Sequence, residues 1–517
     1  MSNAQVLPGR PGPAPRIGLP YLSPGVRDFL SREAGSAAVL LIATVAALVW
    51  ANLPGDTYEE FWHVEVSAAV GTWSLDMDLR HFVNDAAMSI FFLVVGMEIS
   101  REVSVGELRD RRTVIVPALG AIGGLALPAL IYLAFQPSGP AAAGWGIPIS
   151  TDTAFLVGVL ALFGPRCPDQ LRLFLLTLAI VDDIGAIGVM AIFYSDHVSP
   201  MALVVSGVLV AVLLGLRFAG VWQLAPYLLI GLALWVAVFE SGVHPTLAGA
   251  LLGLIVPAAA VDPVQRQRLA YYGRAVLEAA TPARVRLANT AARATVSSNE
   301  RLQDSLHPVS ALVVLPLFGL ANAGVPLNWE TLRAASTSGV TIGIAVALVA
   351  GNAIGVSLFA GIALRTGLGA LPGRVRYGHL IGGAMLCGIG FTISLFITDL
   401  AFDDERLRQD AKIGVLAGSL IAAVLGSLLL RYLGERLPLC TIDSEDGPPA
   451  LPTGDWLDPT IARVAQARGV TLTDPAAAPV SPAPSGPAPS GPAPSGPASS
   501  GGSLPADALP VEPERGA

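Results

Sequence analysis

Asp182 and Asp183 stand side by side in "LTLAIVDDIGAIGVMAIFY", a run from Leu176 to Tyr194 that is otherwise almost wholly apolar. In a helix begun at Leu171, Asp182 falls about 18 Å along at roughly 1.5 Å per residue, which is mid-bilayer. An acid at that depth costs ~2.5–3.5 kcal/mol on insertion scales, and its presence points to function by default. Adjacent helical residues diverge by about 100°, so both acids can border one cavity and neither can hide behind the other. Burial and mutual repulsion both favour the protonated acids. Such a pair holds protons near neutral pH and gives them up to a cation. The bland alternative is a pair of acids hydrogen-bonded to neighbouring helices.

The preceding apolar run supplies a third acid. "GWGIPISTDTAFLVG" carries Pro148, Thr151 and Asp152. Pro148 lacks a backbone donor, and Thr and Asp side chains compete for backbone partners. The pattern predicts a broken helix, with Asp152 near the free N–H groups of a half-helix. "AMLCGIGFTISLFI" has Gly388, Gly390, Thr392 and Ser394 and predicts a second break. Two interrupted segments in separate halves of a transporter point to a midplane site between inverted repeats.

The elements that position these residues are membrane helices. The chain has 517 residues, 53% hydrophobic and 14% charged, against about 25% charged in a soluble domain. Twelve apolar spans are expected, each of roughly 17–25 residues. They start near Gly35, His81, Thr113, Trp145, Leu171, Pro200, Trp222, Val243, His307, Val340, Tyr377 and Ala411. Those near Trp145 and Val243 read as short and interrupted. Arg101, Arg109, Arg166, Arg172, Arg268, Arg274, Arg286 and Arg365 fall in alternate loops, and Lys412 is the single lysine. The positive-inside rule then puts the arginine loops and both termini in the cytoplasm. The expected division is a disordered N-terminus over 1–34, a transmembrane domain over 35–433 with a long cytoplasmic loop over 258–306 that has room for some helix, and a disordered cytoplasmic tail over 434–517. The tail repeats "APSGP" and contains one helix-like stretch, "LDPTIARVAQARG". Cys167, Cys387 and Cys440 suggest no disulfide framework. "HVEVSAAVGTWSLDM" alternates as a short hairpin does.

The motifs "VDDIGAI", "STDTAF", "NDAAMSIFFLVVGMEISRE", "SGVHPTLAG", "LPLFGLANAGV" and "LCGIGFTISLFI" together resemble the NhaA family of bacterial Na+/H+ antiporters over about residues 25–435. The resemblance implies an all-α polytopic membrane protein of about 12 transmembrane helices, with inverted repeats and two crossed, interrupted helices. It implies export of Na+ or Li+ in exchange for external protons, pH-regulated, in a bacterial plasma membrane, and a homodimer. It implies no enzymatic activity, no cofactor beyond the transported ions, and no nucleic-acid partner. Asp182 and Asp183 resemble the family's cation- and proton-binding carboxylates. Thr151 and Asp152 resemble the polar residues at the first helix break. Glu98, Arg101 and Glu102 resemble a charged cluster linked to pH response, and His244 matches a histidine with a similar assignment.

Three departures stand out. Asn352 occupies the position of a family lysine. Gln303 and Asp304 replace a Glu-His pair, leaving His307, and the loop before them is long. Other chemistries fit less well. An intramembrane aspartyl protease needs its two acids on two helices facing one water. A prenyltransferase needs a third acid after "DD". A bile-acid-type sodium symporter binds sodium mainly with neutral oxygens. A channel fits on geometry alone, and sodium efflux against its gradient would exclude it.

Overall fold

The apolar runs fold as helices because backbone in hydrocarbon must satisfy its own hydrogen bonds. The computed structural model describes residues 33–436, apart from 71–72, 107–110, 164–168, 196–198, 259–262 and 370–376. In chain order come α1 (Glu33–Ala51), α2 (Thr57–Trp62), β1 (Glu65–Val70), β2 (Trp73–Asp78), α3 (Leu79–Ser104) and α4 (Arg111–Phe135). A 3-10 segment (Pro140–Ile149) leads to α5 (Thr153–Phe163), α6 (Asp169–Phe193), α7 (Pro200–Phe218), α8 (Leu224–Phe239) and α9 (Thr246–Ile255). Then follow α10 (Pro263–Glu278), α11 (Pro282–Thr295), α12 (Ser298–Asn322), α13 (Trp329–Thr337) and α14 (Gly339–Arg365). The last are α15 (Tyr377–Leu386), α16 (Phe391–Ala401) and α17 (Glu405–Arg436). The N-terminal segment through residue 32, the tail with its helix-like stretch, Cys167, Cys440, Arg109 and Arg166 lie outside the described residues.

Among the described residues, eight stretches are long and apolar enough to cross a membrane, and α15 with α16 forms a further one bent by 46°. Three shorter apolar helices, Gly35–Ala51, α8 and α9, fill the remaining expected positions. The protein is an all-α polytopic membrane protein. One end carries β1 and β2 (the hairpin end); the opposite end carries Arg101, Arg172, Arg268 and Arg365 (the arginine end).

Helix contacts rest on small residues, as they do where lipid supplies no hydrophobic drive between helices. α4 and α14 cross in backbone contact at Gly123 and Gly355. A Cβ on either would sit 2.2 Å from the other's carbonyl oxygen. At the crossing of α3 and α9, a Cβ on Gly249 would meet the Ser89 carbonyl oxygen at the same 2.2 Å. Around α4 and α14 pack α6, α15 and α17, α16 packs on α17 and α12, and α1 packs on α12. Between these sets Phe396 meets Phe92 and Phe318, with ring centroids 5.7 and 6.3 Å apart.

The hairpin expected between residues 54 and 79 is present. β1 and β2 run antiparallel with Glu65 opposite Asp78. Asp78 caps the start of α3, accepting from the His81 amide at 2.7 Å, and its carboxylate meets the rings of His81 and His63. Partial burial opposes its charge, but these hydrogen bonds outweigh it and hold the carboxyl below its usual range. Their contribution is therefore present above the ordinary carboxylate range and lost as pH falls through the lower, folded-state value.

One expectation needs correction. The span near Val243 is not interrupted: α9 is one short continuous helix, with Pro245 at its N-cap rather than inside it. The long segment between the eighth and ninth spans contains α10, α11 and the start of α12. Thr281 accepts from the Arg284 amide ahead of Pro282, and Ser297 and Glu300 form a reciprocal capping box. These satisfy helix-start donors that a loop would leave to water.

Candidate functional site

The breaks that the sequence predicts lie against each other. The 3-10 segment ends at Ile149, Ser150 to Asp152 are extended or irregular, and α5 begins at Thr153. Opposite, Cys387 to Gly390 separate α15 from α16. The two strips of unwound backbone serve one another. Thr151 Oγ1 donates to the Cys387 carbonyl at 2.9 Å, the Asp152 amide to the Ile389 carbonyl at 2.6 Å, and Ser394 Oγ to the Ile147 carbonyl at 2.6 Å. Unwound backbone at membrane depth is tolerated where protein buries it in this way.

Asp152 sits where two half-helices begin. Its Oδ1 accepts from the Phe155 amide at 3.1 Å, in the first turn of α5. Its Oδ2 accepts from the Thr392 amide at 2.9 Å and from the Thr392 hydroxyl, in the first turn of α16. One carboxylate thus answers the positive ends of two helix dipoles. Asn352 lies at the other polarity. Its Nδ2 donates to the Pro148 carbonyl at 3.4 Å and to the Leu348 carbonyl at 3.3 Å. The Pro148 carbonyl belongs to the last turn of the 3-10 half-helix, where free acceptors need donors.

Asp182 and Asp183 come from the middle of α6 and are 1% and 6% exposed. Asp182 Oδ2 accepts from the Thr151 amide at 2.7 Å, which ties α6 to the first break. Oδ1 of each aspartate is buried without a hydrogen-bond partner, as are Ser150 Oγ and Thr153 Oγ1. Thr153 lies beside Asp183. The place therefore offers two carboxylates and nearby hydroxyls whose acceptor capacity is unspent. A cavity of about 140 Å³ borders Asp183, Asp152, Thr153 and Thr392 and also reaches Glu98 and His307, near the arginine end.

Of the residues expected to respond to pH, His244 lies apart from Glu98, Arg101 and Glu102. Glu98 lines the cavity. Arg101 ion-pairs with Glu102 at 3.2 Å and donates to Gln303 at 3.4 Å, so the position departing from the family's Glu-His pair still contacts this group. His244 is at the hairpin end, where its Nε2 meets the Tyr194 carbonyl just past α6.

Sequence reasoning missed several partners. Thr392 was visible as a polar residue after the second break, but its bond to Asp152 spans 240 positions. Lys412 was visible as the lone lysine, but not its buried ion pair with Asp399 at 3.1 Å. Arg408 approaches the same carboxylate at 3.8 Å, and Asn84 donates to it at 3.4 Å.

A sequence profile of the family described as "Na+/H+ antiporter 1" matches residues 27–430. The chain is 60% identical over 457 residues to the "Na(+)/H(+) antiporter NhaA 3" of Frankia alni, covering 88% of this chain and 99% of that one. It is 43% identical over 424 residues to the "Na(+)/H(+) antiporter NhaA 1" of Mycolicibacterium gilvum, covering 81% and 69%. A solved sodium proton antiporter, MjNhaP1 from Methanocaldococcus jannaschii, matches with a TM-score of 0.46 at 13% identity over 78% of this chain and 92% of that one, too remote to carry an argument. The profile takes in both breaks, the aspartate pair and all of the helical region but the end of α17, and the chain belongs to the Na+/H+ antiporter 1 family.

Proposed function

We propose that the chain exchanges Na+ or Li+ for protons and exports sodium from a bacterial cell across the plasma membrane, with the arginine end and both termini in the cytoplasm. The observation that carries this reading is the aspartate pair: two buried carboxyls beside two crossed breaks, each with one oxygen unspent, Asp183 facing a cavity that Glu98 and His307 also line. A sodium ion entering from the cytoplasm takes those oxygens together with hydroxyl and unwound-backbone oxygens, and the protons leave. The chain's own carboxyls are the proton carriers, and the exchange needs no cofactor and makes no covalent bond. Sodium added to everted vesicles should dequench an acid-sensitive dye. An unchanged signal, with the protein present and folded, would overturn the reading.

Asp152 acts as electrostatic support rather than as a carrier. Asp152→Asn leaves one acceptor oxygen where two helix N-termini now share two. Each end is worth roughly 0.3–2 kcal/mol, so apparent sodium affinity should fall about tenfold while turnover persists. Complete loss of turnover in a folded protein would make Asp152 a carrier.

Asn352 bears on stoichiometry. An asparagine keeps the hydrogen bonds to the Pro148 and Leu348 carbonyls but cannot neutralise Asp182. Each aspartate then holds its own proton in the absence of sodium, and two protons exchange for one sodium. In proteoliposomes an imposed potassium-diffusion potential should change sodium flux. Flux indifferent to the potential means one-for-one exchange.

The pH response is assigned to Glu98, Arg101 and Glu102, with His244 acting separately at the external end. β1–β2 is the contact of a homodimer. A lone two-stranded hairpin is marginal in water, and a second copy at its edge adds pairing. Removing residues 66–77 should turn the detergent-solubilised dimer into monomer and leave exchange running. An intact dimer would put the contact elsewhere.

A further inference from the structure

The antiport site gives no role to α10 and α11. These two helices pack on each other, and Arg284 Nη1 donates to the Ala275 carbonyl at 2.8 Å between them. From Pro263 to Thr295 the sequence has six arginines and one acid, Glu278. Arg268, Arg274, Arg286 and Arg293 are all exposed. Large apolar side chains are exposed among them: Tyr271 is 70% exposed, Leu277 63% and Leu287 49%. A helical hairpin surrounded by water gains nothing from that surface. A basic helical face carrying apolar and aromatic residues suits a membrane interface.

The depth of the pair is fixed by its ends. α9 stops at Ile255, shortly before α10. α12 starts three residues after α11 ends, and is pinned there: Ser298 Oγ donates to the Trp222 carbonyl at 2.6 Å and Asn299 Nδ2 to the Met97 carbonyl at 3.0 Å. Trp222 is 44% exposed in the turn between α7 and α8, with the Arg301 guanidinium 5.5 Å from its ring centre. Tryptophan at the end of a membrane helix marks headgroup level. α10 and α11 therefore leave the bundle at that level.

We propose that α10 and α11 lie on the bilayer surface at the arginine end and bind the phosphate headgroups of anionic lipids. Guanidinium forks match phosphate oxygens in pairs, and the apolar residues between them enter the acyl boundary. The acidic region 437–517 offers matching charge, but a bilayer answers both the arginines and the apolar residues. Near an anionic surface each arginine contributes about fivefold to partitioning.

The test uses the full chain in nanodiscs, with Cys167→Ser, Cys440→Ser and a spin label at Leu277→Cys. One set of discs is phosphatidylcholine; the other contains about one-third phosphatidylglycerol, enough to set up an anionic surface. In the anionic discs the label should become several-fold more accessible to oxygen than to a water-soluble nickel chelate. The shift should vanish in about 1 M salt, where the screening length is roughly 3 Å. It should also vanish when Arg268, Arg274, Arg286 and Arg293 are all changed to Gln. Leu287→Cys reports α11 in the same way. Equal water exposure in both discs, or a shift that survives the four substitutions, overturns the proposal. Protection that is indifferent to lipid and lost when residues 437–517 are removed identifies the tail as the occupant and also overturns it.

Discussion

Asp183→Asn should bring sodium-driven proton release to background, a loss of at least about a hundredfold, because a neutral amide cannot release a proton and holds a cation far less well. Asp183 borders the cavity, and its Oδ1 has no hydrogen-bond partner, so the substitution changes charge and leaves the packing around it in place. The variant should elute like the native chain on gel filtration, separating loss of transport from loss of fold. Measured in everted vesicles at several sodium concentrations, the loss should not be rescued by excess sodium. Native-like exchange would remove the aspartate pair from the mechanism.

The largest effect on stability should come from Gly355→Leu. The first added carbon would lie 2.2 Å from the Gly123 carbonyl oxygen, and backbone cannot step aside as a side-chain tip can. α4 and α14 must separate, which costs several kcal/mol and pulls the Asn352 amide away from the Pro148 carbonyl. Gly207→Leu, on α7, is the matched control: a Cβ there meets nothing within 4 Å. Heating both variants in detergent and following the monodisperse fraction should show a large loss for the first and almost none for the second. Similar melting of the two would mean that the α4–α14 crossing is not a close contact in solution.

The layout of the helices was legible because each membrane segment carries its own signal. An apolar run of span length states its location without reference to any other part of the chain. The breaks were legible for a similar reason, since Pro148 and the Gly388–Gly390 pair disrupt a helix locally. The segment over 258–306 carries local cues as well: Thr281 before Pro282, and Ser297 three residues before Glu300, are helix starts even in a polar segment. The pairings were not legible. Asp152 with Thr392, Thr151 with Cys387, and Lys412 with Asp399 join elements that only the packed bundle brings together. A residue type can show that a polar group needs a partner; it does not say which one.

The Asp399–Lys412 pair makes the chain unusually simple to footprint. Lys412 is the only lysine in the sequence, and its side chain is 6% exposed, closed off by Asp399 on α16. An amine-acylating reagent thus has one ε-amino target in the whole molecule, and in this conformation it is masked. Acylation at that position can proceed only as fast as α16 and α17 part near the hairpin end. The mass of a single peptide then becomes a clock for that opening, free of signal from other lysines. Sodium or protons that part these two helices would be recorded as a change in the rate of one covalent reaction.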